Sequence, residues 1–107
     1  MASSVWSDLM KISHDLPAEC SAIVNSITIM MLVVSDAGLG SETIDRVAVR
    51  CYEAAVFHGE SYREFVKHLS GSEDASAFAS VVRVLVSAGK INSSELKSIE
   101  AFLKLFR

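Results

Sequence analysis

The sequence is short of the residues that carry most recognisable chemistry. One proline, two cysteines and five glycines are spread through 107 residues. So little proline, with a charged fraction of 21% beside an apolar fraction of 50%, excludes a disordered chain, because there is ample apolar side chain to bury. Lys and Arg are outnumbered by Asp and Glu, for a formal charge of -3, and they are scattered. Arg46 and Arg50 stand one helical turn apart, but Glu42, Asp45 and Glu53 flank them. With no basic patch there is no electrostatic footprint for a phosphate backbone, and no nucleic acid is expected as a partner.

Motifs of catalysis are missing too. Cys20 and Cys51 form no Cys-x-x-Cys pair and have no clustered histidines. They read as small buried side chains in a reducing compartment, the alternative being a bridge between neighbouring helices. His14, His58 and His68 fall on three segments, with no spacing that presents two imidazoles together to zinc. No Gly-x-Ser-x-Gly elbow, phosphate-binding glycine loop or dinucleotide fingerprint occurs. The expectation is a protein that is not an enzyme and takes no cofactor.

Targeting signals are equally sparse. Met1 to Met10 has no basic segment and already carries Trp6 and Asp8, and Ala2 stands where N-myristoylation needs glycine. The longest apolar stretch, Ala18 to Val34, is interrupted by Glu19, Asn25 and Ser26 and falls short of the roughly 20 residues of a membrane span. A buried central helix, no integral membrane segment and a cytoplasmic protein are expected.

What the sequence does have is helical periodicity. Val5, Trp6, Leu9 and Met10 fall on one stripe behind Ser3 and Ser4, which predicts an amphipathic N-terminal helix within 1–14. A break at His14-Asp15-Leu16-Pro17 leads into a second helix, from Pro17 to about Ser35, with apolar residues on nearly every side. Ser41 is placed to cap a third helix, Glu42 to Phe57, whose core stripe is Ile44, Val47, Cys51, Ala54 and Ala55. A short fourth helix runs from about Glu60 to Leu69. A fifth opens on Glu73 and Asp74, suited to the positive end of the helix dipole, and stops at Ala88-Gly89. Asn92 and Glu95 form a capping-box pattern ahead of a sixth, with Leu96, Ile99, Leu103 and Phe106 inward. No segment sustains the two-residue period of a strand. The predicted fold is all-α, a single domain over 1–107, a compact bundle of about six helices.

One device is used twice. An apolar helix runs into Ser35-Asp36-Ala37-Gly38-Leu39-Gly40-Ser41-Glu42 before Ile44 and Val47, and a second runs into Ser87-Ala88-Gly89-Lys90-Ile91-Asn92-Ser93-Ser94-Glu95 before Leu96 and Ile99. In each copy glycine turns the chain, an apolar residue (Leu39, Ile91) is expected to plug the gap between helices, and a polar cap satisfies the first amides. The bundle is expected to be built around this duplicated helical hairpin. Gly89, Ile91 and Glu95 also match half of an EF-hand loop, but Val84, Val86 and Ala88 stand where calcium ligands belong, which excludes one.

The stretches Val33-Val34-Ser35-Asp36-Ala37-Gly38 with Glu42, and Val86-Ser87-Ala88-Gly89 with Glu95, resemble the two halves of the tellurite-resistance TerB-like helical family. The resemblance runs from about Ala18 to the C-terminus. It implies a TerB-like core over 17–107 and a divalent-cation site at Asp36, Glu42 and Glu95. The sequence departs from the pattern by the extra Ala37, by Ala88 in place of an acidic residue, and by Asn92-Ser93-Ser94 in place of an acidic run.

Surface is the remaining source of function. The second and fifth helices carry apolar residues on nearly all sides, and Trp6, Met10, Phe102 and Leu105 are large, apolar and poorly explained by one core face. The leading expectation is a non-catalytic interaction module, adaptor, chaperone-like or a homodimer, using those four residues to bind a protein partner. The alternatives are a TerB-like stress-response protein with the cation site above, and a carrier of a small hydrophobic ligand.

Overall fold

The computed structural model describes residues 2–39 and 41–106. Over them the chain forms six α-helices and no strand: α1 (Ala2–Ser13), α2 (Ala18–Asp36), α3 (Ser41–His58), α4 (Tyr62–Ser70), α5 (Glu73–Ser87) and α6 (Ser93–Leu103), with a closing 3-10 turn at Lys104–Phe106. Expected and observed boundaries differ by a residue or two. Ser3 and Ser4, read as a cap, lie inside α1. Gly40 and the side chain of Ser41 lie outside the described residues.

The caps are local and follow from residue type. The side chains of Ser61 and Ser72 accept the backbone N–H of Glu64 and Ala75, each at 3.3 Å. Asn92 accepts the N–H of Glu95 at 2.8 Å while the Glu95 carboxylate accepts the N–H of Asn92 at 3.3 Å, so both orphan donors are satisfied. Pro17 takes the N-cap position of α2, where it has no amide to leave unsatisfied.

The two turns after α2 and α5 are copies of one another. Gly38 has φ +72° and Gly89 φ +73°, and a Cβ at either would meet no atom within 4 Å, so it is the left-handed backbone and not crowding that requires glycine. In the first turn the N–H groups of Leu39 and Gly38 reach the carbonyls of Val34 and Ser35 at 3.2 and 3.0 Å; in the second those of Lys90 and Gly89 reach Leu85 and Val86 at 2.9 and 3.1 Å. Both are Schellman closures. This register corrects the expected plugs. Ile91 is buried, but Leu39 is 42% exposed, because its counterpart in the second copy is Lys90. The residue matching Ile91 is Gly40.

The sequence-adjacent helices α2/α3 and α5/α6 touch, yet the main packing pairs are α2 with α6 and α1 with α3. The duplicated hairpin is thus a repeat of turns more than of packing units. α3 is the strut of the bundle, meeting α1, α2, α4 and α5. One core joins Leu9 from α1, Ile23, Ile27 and Met30 from α2, Val47 and Cys51 from α3, Phe65 and Leu69 from α4, Phe78 and Val82 from α5, and Ile99 and Phe102 from α6. Ser26 breaks the apolar run of α2 at the crossing with α6. Its hydroxyl is fully buried and lies within reach of the carbonyls of Ala22, at 2.7 Å, and of Ser98. α2 is long and apolar enough, by length and composition, to cross a membrane; its buried face here is the one packed into the core.

Arg83, in the sequence a charged interruption of α5, donates to the carbonyls of Leu103 and Phe106 at 3.0 and 2.9 Å. It satisfies the chain's last helical carbonyls and ties the C-terminal turn to α5.

Candidate interaction groove

Two chain reversals, α1 to α2 and α3 to α4, lie side by side and enclose an open groove of about 1080 Å³. The first wall is local in origin. The Ser13 hydroxyl donates to the carbonyl of Met10 at 2.7 Å, and the N–H groups of Asp15 and Leu16 return to Ile12 and Ser13, so the chain turns tightly before Pro17. The second wall is the end of α3, Ala55 to His58, closed by the N–H of Ser61 on the carbonyl of His58 at 3.1 Å.

Gly59 lets the walls meet. It is buried, and a Cβ there would run into the carbonyl oxygen of Ala55 and come within 2.6 Å of Leu16 Cδ2. Leu16 therefore seats itself against the end of α3 only because position 59 has no side chain.

The lining mixes apolar and acidic side chains. Ile12, Leu16, Pro17, Val56 and Phe57 supply the apolar surface, and Asp15, Glu60 and Glu64 the charge. Phe57 is 73% exposed and Val56 48%. Those three carboxylates form no ion pair among the described residues, and neither Lys nor Arg lines the groove. Four helix ends converge here, the C-termini of α1 and α3 and the N-termini of α2 and α4. Their opposed dipoles offset one another, so the side chains set the sign of the field. His58 stands at the inner wall, its ring 5.2 Å from that of His68, whose Nε2 lies 3.7 Å from a Glu53 oxygen.

The residues singled out from sequence are not brought together in this groove. Trp6 and Phe102 are buried core residues, which takes them off any docking surface; Phe102 meets Phe78 edge-on and Phe106 at a tilt, at centroid distances of 6.4 and 5.1 Å. Met10 is 38% exposed with its sulfur 3.5 Å from the Thr28 hydroxyl, and Leu105 is half-buried. Apolar exposure on α2 and α5 falls instead on Leu32, 57% exposed, and Val84, 66% exposed.

Phe57 is the aromatic that the sequence reading passed over. It shares a helix face with Arg46, Arg50 and Glu53, at the i, i+4, i+7 and i+11 positions, so a large aromatic on the charged side of α3 was the available signal.

The acidic residues Asp36, Glu42 and Glu95 stay apart. Glu42 pairs with Arg46 at 3.1 Å, Glu95 is spent in the capping box, and among the described residues no three His, Cys, Asp or Glu side chains converge as a metal site. Cys20 and Cys51 are free thiols buried in the core. Burial, with Cys20 as a neighbour, pushes the Cys51 thiol up to about 12, which makes it a poor nucleophile.

Comparison with protein families, with curated proteins and with solved structures finds no match to this chain. The groove therefore carries the functional reading by itself.

Proposed function

We propose that this chain is a non-catalytic helical protein-binding module whose docking surface is the groove between the α1–α2 and α3–α4 reversals. One observation carries the reading: Phe57, 73% exposed, stands beside the half-exposed Val56 in an open groove that Ile12, Leu16 and Pro17 also line. Leaving a phenylalanine in water forgoes roughly 1.5–3 kcal/mol of burial, and aromatic residues are enriched where one protein surface meets another. An open trough also suits a docked polypeptide better than an enclosed small hydrophobe.

A partner other than a second copy fits best, since a two-fold pairing through this face sets one group of three carboxylates against an identical group with no Lys or Arg between them. The TerB-like reading has the twin Gly38 and Gly89 turns in its favour, but its carboxylates are engaged elsewhere or isolated, so no cation role is proposed.

Photo-crosslinking tests the module. A photoreactive residue at position 57 should give a saturable adduct with one defined polypeptide in the native host, whereas one at Ala77, exposed on α5, should not. Equal labelling from both positions rejects the groove as the docking surface.

A further inference from the structure

Resting on that reading of the groove, we infer that its occupant is a short cationic amphipathic helix, with apolar side chains directed to Ile12, Leu16 and Phe57 and Lys or Arg directed to Asp15, Glu60 and Glu64. The structural class follows from what the fold offers. Of the recurring modes of peptide recognition, strand addition needs a sheet edge, polyproline docking several aromatic rings and acidic-motif capture an Arg cluster, whereas an amphipathic helix needs a groove with apolar lining. Among the described residues there is no sheet, and Phe57 is the one aromatic in the lining, which leaves the helix.

The sign of the charge follows from the lining. Three carboxylates, one histidine and no Lys or Arg line the groove, and the helix dipoles offset. An anionic partner would bring like charges together at Asp15, Glu60 and Glu64, a repulsion that is strongest at low salt. A cationic one gains at the same positions. Lysine and arginine suit it further because their aliphatic stems lie along apolar surface while the charged ends reach the carboxylates.

Defined peptides test the inference on the intact chain. The first probe is a helical peptide of about 14 residues, some four turns, with leucine at i, i+3, i+4 and i+7 and lysine elsewhere. A second has glutamate in place of lysine, and a third has the first composition scrambled. Binding is read by fluorescence anisotropy and the contact surface by amide chemical shifts. The expected result is a footprint on Ile12, Leu16 and Phe57 for the leucine–lysine peptide alone. Its affinity should fall by about tenfold between low and physiological salt, and by about tenfold in Glu60→Lys/Glu64→Lys, whose exposed sites leave the fold intact.

Equal binding of the scrambled peptide, or salt-independent binding, overturns the inference. Tighter binding of the glutamate peptide in the groove overturns the charge assignment while leaving the groove as a docking surface. A footprint elsewhere, or concentration-dependent dimerisation abolished by Phe57→Ser, overturns the inference together with the partner class proposed above.

Discussion

Two phenylalanines near the ends of helices, Phe57 and Phe102, have opposite fates, and the difference predicts opposite consequences of losing them. Phe102 is fully buried, so Phe102→Ala should cost about 3–5 kcal/mol of stability. Phe57→Ser should change stability by no more than about 0.5 kcal/mol while abolishing partner capture. Chemical denaturation of the two variants, beside crosslinking from the groove, checks both. At position 59 the demand is for space. Gly59→Ala places a Cβ against Ala55 and Leu16, and should destabilise by about 1–3 kcal/mol, with amide shifts concentrated in the α1–α2 reversal. An alanine tolerated there without shifts would mean that Leu16 is not held as described.

At the scale of elements, the twin turns after α2 and α5 give a paired prediction. Gly38→Ala and Gly89→Ala should each cost about 1–2 kcal/mol, since both sites need left-handed backbone and neither is crowded. Thermal melts of the two single variants and the double should be additive, because the turns close different helices. The helices themselves were legible in the sequence: three-to-four spacing, the Asn92 cap and the acidic start of α5 all lie within a turn or two of the residues they govern, whereas the Ser72 cap emerged only from the structure. What was not legible is which helix meets which. The pairing of α2 with α6 depends on Ser26 facing the backbone at Ser98, two positions that no local pattern links. The groove was hidden for the same reason: its walls come from loops more than forty residues apart, and only the misplaced-looking Phe57 announced it.

At the scale of the whole molecule, the six helices give a radius of gyration of 12.6 Å, close to the roughly 13 Å of a well-packed domain of this length. Such a core leaves the two thiols inaccessible, and it links folding to alkaline pH. The Cys51 thiol is raised by burial from 9.0 to about 12, so the unfolded chain loses that proton first. The contribution to stability is complete below about pH 9 and declines as pH rises toward 12, by up to about 1.4 kcal/mol per unit. Denaturation midpoints near neutrality and near pH 10 should therefore diverge more for the natural chain than for Cys51→Ala; equal slopes would contradict the burial. Thiol reagents should modify neither cysteine until the chain unfolds.

The single tryptophan sits on the helix whose far end becomes a wall of the groove. Trp6 is buried between α1 and the body of the bundle, while Ile12 and Leu16, one to three turns along, face whatever docks. The molecule thereby carries its own optical gauge. Indole emission is set by how firmly α1 lies on α3, so any occupant that levers the end of α1 changes the colour of the light without a dye being attached, and one that merely rests on Phe57 leaves it unchanged.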